Sequence, residues 1–253
     1  MPGALGARAR LLRTSVRMNG SRRAVFVPGS GAGAWEWVRW RPVFESAGWE
    51  VSALDLEPSR GGIAATTFSD YAAQVLSALA QSGGDSVLVG ASLGATLALA
   101  AASRAPASAL VLVSGVPHAG TPGWPRQPVR FPDVVPWSTR GVAETLAALP
   151  DADPRPFEGL PERWRDESGA VMRALWEGVR VATPSVPVLA VLGESDDQVP
   201  TNVGIAMARR LHADVIRLQG ASHLGTLLGQ RAEFAARLAL AWLDNVLGTA
   251  ELD

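Results

Sequence analysis

Ser92 lies in Gly90-Ala91-Ser92-Leu93-Gly94, a Gly-x-Ser-x-Gly pentapeptide. Before it runs Ser86-Val87-Leu88-Val89, and after it a stretch from Leu93 to Ala102 that is almost entirely Ala and Leu. The first run reads as a buried strand and the second as a helix. A serine in so tight a strand-to-helix turn is a nucleophile elbow: small flanking residues let the backbone turn, and the hydroxyl projects at the strand's carboxyl end. The unpaired N–H groups of the helix behind it face any negative charge that forms there. A chain with 26 glycines can produce the pentapeptide by chance, so its context has to decide.

A serine hydroxyl is a poor nucleophile until a base takes its proton. The chain has no Lys and no Cys, and its three histidines are His118, His212 and His223. His212 adjoins Arg209 and Arg210 at a predicted helix end and reads as a surface residue. His118 stands at the entrance of a proline-rich stretch, within reach of a substrate. His223, in Gly220-Ala221-Ser222-His223-Leu224-Gly225, follows a predicted strand in a loop of small residues, from which its ring could reach Ser92. An imidazole used as base needs an acid to fix its tautomer and stabilise the imidazolium. Asp196 and Asp197, just beyond the apolar run Val186 to Leu192, are both candidates, whereas Glu194 reads as solvated.

A second loop could meet the serine. Ala24-Val25-Phe26-Val27 reads as a strand, and Pro28-Gly29-Ser30-Gly31-Ala32-Gly33-Ala34-Trp35 after it lets the backbone approach a ligand closely. One reading makes it an oxyanion loop, with the Ser30 amide paired to the Leu93 amide across the site. The other takes Gly29-x-Gly31-x-x-Ala34 as a dinucleotide fingerprint, with Asp55 after Val51-Ser52-Ala53-Leu54 as its acidic residue.

The elements that must position these groups alternate. Strands are predicted at 24–27, 51–54, 86–89, 109–113, 186–192 and 214–218. Helices are predicted around Trp37 to Gly48, then at Phe68 to Ser82, Leu93 to Ala102, Asn202 to Leu211 and Gln230 to Leu247. That pattern argues an α/β fold with a mostly parallel, doubly wound sheet, whose ligands sit beyond the strand carboxyl ends. From about 116 to 183 the pattern breaks: prolines and tryptophans are dense, and helices are predicted from Thr139 to Leu149 and from Pro161 to Val179. Such an insertion would cap the serine. Most of its tryptophans are expected to pack cap against core. Trp124 and Trp137 are taken as pocket residues together with Gly29 and Leu224, which favours a small, largely apolar substrate.

At 253 residues and 47% hydrophobic, the chain suits one α/β domain over 23–250. Residues 1–22 carry several arginines and no acid; they read as a disordered extension or a transit-like presequence, with Met18 as an alternative start. A net charge of −1 offers no electrostatic case for nucleic acid or an anionic membrane. Absence of Cys excludes disulfides and thiol chemistry, and absence of Lys excludes Schiff bases. No apolar run reaches membrane-span length. The expectation is a cytoplasmic protein with no cofactor and no metal, a small-molecule partner and the possibility of a homodimer. The Arg- and Ala-rich, Lys-free composition fits a GC-rich bacterial genome.

Taken together, Val25 to Trp35, Gly48-Trp49-Glu50-Val51-Ser52-Ala53-Leu54-Asp55-Leu56, the elbow, Gly193-Glu194-Ser195-Asp196 with Pro200, and Gly220-Ala221-Ser222-His223 resemble the α/β-hydrolase superfamily. Within it the chain is similar to the compact plant-type methyl esterases and hydroxynitrile lyases, over Ala24 to about Leu247. The resemblance implies Ser92 as nucleophile, His223 as base and Asp196 as acid, with Asp197 in reserve, and an oxyanion hole from the Ser30 and Leu93 amides. Pro28 and Ala91 stand where the family usually has His. Leu224 replaces the lysine with which the lyases handle cyanide, and Gly29 replaces their threonine. Ester hydrolysis is therefore implied over cyanohydrin cleavage, with a lyase, a cyclase or a ligand receptor on the same fold as alternatives.

Overall fold

The computed structural model describes residues 22–83, 86–125, 129–152 and 161–249; all of the expected N-terminal extension except Arg22 lies outside them. In chain order the helices and strands begin β1 (Arg23–Val27), α1 (Arg41–Ser46), β2 (Glu50–Ala53), α2 (Phe68–Ser82), β3 (Ser86–Ala91), α3 (Leu93–Ala102) and β4 (Ala109–Val113). They continue with β5 (Val134–Val135), α4 (Val142–Ala147), β6 (Glu167–Ser168), α5 (Gly169–Glu177), β7 (Val188–Gly193), α6 (Thr201–Arg210), β8 (Asp214–Leu218), α7 (Gly225–Leu228) and α8 (Ala232–Thr249).

The apolar runs pair as one parallel sheet in the order β2-β1-β3-β4-β7-β8. Runs without a polar face suit strands covered on both sides, and β3, β4 and β7 are buried throughout. Alternation along β1 shows the two layers. Ala24 and Phe26 face Phe44 of α1 and the alanines of α8, while Val25 and Val27 face Tyr71, Val75 and Leu79 of α2 and the buried side of α3. The order reverses between β1 and β3. A crevice opens at such a reversal beyond the carboxyl ends, and the two loops singled out above, after Val27 and after Ala91, both empty into it.

Between β4 and β7 the chain leaves the sheet, and here the structure departs from the expected helices. The first is confined to Val142–Ala147. Gly141 is extended ahead of it, with its N–H donating to the Glu144 carboxylate at 3.0 Å, so the residues before it, Trp137–Thr139, form a separate 3-10 turn. The second begins only at Gly169, because Glu167–Ser168 pairs antiparallel with Val134–Val135 and the Ser168 hydroxyl accepts from the Val171 N–H as the cap. Gly178, at φ 93°, stops it. Hydrogen bonding to a distant strand overrides the helical pattern upstream of Gly169. No described helix is long and apolar enough to cross a membrane.

Gly94 fixes how closely α3 approaches β1. A Cβ there would overlap the carbonyl oxygens of Val27 and Pro28, and one at Gly90 would overlap the Gly94 carbonyl. Substituting Gly94→Ala forces the first turn of α3 off the end of β1. It should cost about 1–3 kcal/mol in a denaturant titration and separate Ser92 from the Ser30 loop, with a loss of Ser92 reactivity larger than the loss of stability explains.

Candidate active site

Ser92 has the strained backbone of a strand-to-helix elbow, φ 49° and ψ −113°. Its N–H donates to the Val113 carbonyl at 3.0 Å, while its own carbonyl accepts from Ala95 at 3.2 Å and Val116 at 3.3 Å, which pins the turn to the end of β4. The hydroxyl Oγ lies 3.1 Å from Nε2 of His223. Nδ1 of the same ring lies 2.8 Å from Oδ2 of Asp196, and the two side chains are 4% and 3% exposed. The remaining Asp196 oxygen accepts from the amides of Gln198 at 3.0 Å and Val199 at 2.8 Å, so the carboxylate cannot swing away from the ring. Asp197 is exposed, and Glu194 pairs with Arg217 at 2.8 Å on the surface.

The loop carrying His223 is held by hydroxyls. Ser222 donates to Asp151 at 2.6 Å and accepts from the Gly225 amide at 3.0 Å. Thr226 donates to the His223 carbonyl at 3.0 Å and meets the Ser114 hydroxyl, also at 3.0 Å.

Opposite Ser92, the amides on either side of Ser30 are taken. The Gly29 N–H donates to Glu36 at 2.6 Å and the Gly31 N–H donates to Glu167 at 3.0 Å. Glu167 also receives the Tyr71 hydroxyl at 3.1 Å and its neighbour's amide, that of Ser168, at 2.7 Å. Arg165 closes the far side of the loop: its amide donates to the Gly31 carbonyl at 2.8 Å and its guanidinium to the Ala32 carbonyl at 2.6 Å. Among the described residues neither the Ser30 nor the Leu93 amide has an acceptor, so both donors are available to an incoming oxygen.

This arrangement meets a family match. A model described as the alpha/beta hydrolase family covers residues 24–237. The chain belongs to that family. Among solved structures it is similar to a pyrethroid hydrolase from Sphingobium faniae, at 20% identity and TM-score 0.68 over 91% of this chain and 99% of that one. Polyneuridine aldehyde esterase matches at 22% identity and TM-score 0.66, over 87% of this chain and 98% of the other. Tomato methylketone synthase I matches at 18% identity and TM-score 0.68, over 88% and 98%. At these identities the likeness is one of fold, and it includes the plant-type members that the sequence motifs resemble. No curated protein matches the chain.

Above Ser92 the hydrolase-family scaffold forms a small, partly open space of about 40 Å³. Gly29, Ser30, Trp137 and Leu224 line it with Ser92 and His223, and so do Glu36, Arg140 and Trp164, which the sequence reading did not single out as site residues. Trp124 does not line it. Its ring packs on Trp176 at 4.6 Å, in the cluster with Val199, Val203 and Met207, because the turn at Gly123 rests on α6 rather than on the elbow. His118 is buried, its pKa lowered by burial and then by Arg210, and it lies outside the lining; His212 is exposed. The dinucleotide reading fails on Asp55. Its carboxylate accepts from the Ala34 amide at 2.9 Å and occupies the space beside Gly33, and the loop leads into one 3-10 turn rather than a helix. A wider groove of about 600 Å³ between α1 and α8, lined by residues such as Val38, Pro42 and Leu240, is remote from this chemistry. No cluster of three potential metal ligands occurs among the described residues.

Glu36 is the unexpected group. It sits on the 3-10 turn between Trp35 and Trp37, 2% exposed, and among the described residues its hydrogen-bond partner is the Gly29 amide. Burial pushes its carboxyl up to about 8, against a weaker opposing pull from that amide, so it is an uncharged acid at neutral pH. Burial also raises Glu167, which its amide and hydroxyl donors partly offset. The sequence offered one signal for Glu36: an acid wedged between two tryptophans directly after a buried loop.

A raised acid pKa has a definite sign in stability. Below the ordinary carboxyl range both folded and unfolded chains hold the proton; as pH rises towards about 8 only the unfolded chain releases it, so stability falls across that window. Glu36→Gln keeps the acceptor for Gly29 and removes the titration. Its melting temperature should match the parent near pH 5 and exceed it near pH 9, by the equivalent of a few kcal/mol, as read by thermal denaturation at the two pH values.

Proposed function

We propose that the chain is a serine hydrolase that cleaves a carboxylic ester, or a related acyl compound, of a small substrate through an acyl-enzyme. The observation that carries this reading is the unbroken run of contacts from the Ser92 hydroxyl through the His223 ring to Asp196, at 3.1 and 2.8 Å. In it Ser92 Oγ attacks the acyl carbon as its proton passes to His223 Nε2. Asp196 accepts the Nδ1–H, which selects the tautomer with a free lone pair on Nε2 and then stabilises the imidazolium. The tetrahedral oxyanion takes the Ser30 and Leu93 amides, each worth on the order of a hundredfold in rate. His223 returns the proton to the leaving alkoxide, then deprotonates the water that releases the acid and restores Ser92.

A space of about 40 Å³ holds roughly one or two waters, room for the reacting carbonyl alone, so the rest of an ester extends through the open side of the pocket. Product analysis in isotopically labelled water separates hydrolysis from lyase or cyclase chemistry in the same pocket, because only hydrolysis puts solvent oxygen into the acid product.

A fluorophosphonate should add covalently at Ser92, as read by peptide mass spectrometry; an unlabelled, folded sample would sink the proposal. Asp196→Asn should lower kcat by roughly a thousandfold or more, since it favours the wrong imidazole tautomer, whereas the exposed Asp197→Asn should stay within about twofold of the parent. The pH profile should have an alkaline limb. Activity falls above about pH 8, where Glu36 becomes a carboxylate beside the Gly29-Ser30 segment and opposes the oxyanion. Glu36→Gln should flatten that limb; a persistent alkaline limb would remove Glu36 from the account.

A further inference from the structure

Arg140 is half-buried at the end of the 3-10 turn Trp137–Thr139 and faces the same space as Ser92 and His223. Its guanidinium carbon lies 4.8 Å from the ring centroid of Trp137 and 5.5 Å from that of Trp164. Stacking occupies the flat face of a guanidinium and leaves its rim of N–H donors unspent. Among the described residues the Arg140 guanidinium has neither a hydrogen bond nor an ion pair; only its backbone amide is used, on the Trp137 carbonyl at 3.0 Å. Nearby arginines of the cap differ: Arg165 is spent on the Ala32 carbonyl and Arg173 on the Phe131 carbonyl and Asp133.

Among the described residues no acid pairs with it directly. Glu144 is exposed, holds the Gly141 amide at 3.0 Å, and offsets the burial of Arg140 only in part, from beyond ion-pair distance. Glu36, which also lines the space, is uncharged at neutral pH. Asp196 is committed to His223 and two amides. A partly desolvated cation without a carboxylate costs free energy that a bound anion recovers, and the rim of a guanidinium matches a carboxylate in two-point geometry.

We propose that Arg140 is an anion anchor of this pocket, and that the preferred substrates are acyl esters bearing a free carboxylate, in the manner of a half-ester of a dicarboxylic acid. The inference rests on the hydrolase reading and narrows its substrate class. Trp137, Trp164, Leu224 and Leu227 would cover the carbon chain between the ester and the carboxylate, so the apolar lining and the single cation serve one bifunctional molecule.

Specificity constants for methyl hydrogen succinate, glutarate and adipate, each set against the neutral methyl ester of equal chain length, test it at pH 7. The parent protein should prefer the anionic member at one chain length by roughly ten- to a hundredfold. Arg140→Met should collapse that ratio, and Arg140→Lys should retain part of it, as a point charge without the fork geometry. Equal turnover of both series at every length, or a preference that survives Arg140→Met, overturns the anchor while leaving the hydrolase reading standing. Binding is measured separately by calorimetric titration of Ser92→Ala with methyl hydrogen adipate and glutarate. Saturable binding of either that is lost in Ser92→Ala/Arg140→Met supports the anchor even if no ester is turned over by the parent, a result that would fall on the hydrolase reading alone. No binding of either half-ester by Ser92→Ala overturns the anchor.

Discussion

The close approach of α3 to the carboxyl end of β1 is the constraint on which the site depends. With no side chain at Gly94, the first turn of α3 lies against the carbonyls of Val27 and Pro28. Any larger residue would lift the helix, and with it the Leu93 amide, away from the Ser30 amide. The same contact forces the backbone of Ser92 to φ 49°, a conformation that persists only because bonds to Val113 and Val116 fix both sides of the turn. Strain at one residue is thus held by packing at its neighbours, and the hydroxyl is left standing over the reversal in strand order, where a parallel sheet opens a crevice.

A second theme is how the loop opposite the serine is kept in shape. A run rich in glycine has high conformational entropy when unfolded, and its amides have to be satisfied when buried. Two carboxyls from distant parts of the chain do this, Glu36 from the turn beyond the loop and Glu167 from the cap, while Arg165 takes the carbonyls. Only the Ser30 amide between them is left over. Burying acids so close to the proposed oxyanion would be self-defeating if they were ionised. Burial itself answers this at Glu36, because the medium that makes a carboxylate costly also holds the proton on. The cap therefore shapes the proposed oxyanion site as well as covering it.

Charge in this space is accordingly asymmetric. An uncharged acid, a ring committed to its aspartate and an arginine packed against two tryptophans line the pocket, so its charge is positive in a protein whose net charge is −1. The fold, shared at about 20% identity with a pyrethroid hydrolase, does not dictate that polarity. It comes from side chains on the cap and on one 3-10 turn, segments that can change without disturbing the sheet.

Local pattern determined a good deal. Apolar runs without a polar face marked the buried strands, Val75 and Leu79 four apart marked α2, and the Gly-x-Ser-x-Gly spacing between a strand and a helix located Ser92. His223 and Asp196 were legible as loop residues just past strands, since parallel topology sends all such loops to one edge of the sheet. The tertiary structure alone placed Asp196 rather than Asp197 against the His223 ring, because the amides of Gln198 and Val199 hold the Asp196 carboxylate inward. It alone shortened the cap helices, where pairing of Glu167–Ser168 with Val134–Val135 outweighs helical periodicity. It alone moved Trp124 out of the pocket and brought Glu36, Arg140 and Trp164 into it. Periodicity reports which face of an element is buried; the proton on Glu36 and the packing of Arg140 against Trp164 depend on what residues far along the chain place beside them, which no local spacing encodes.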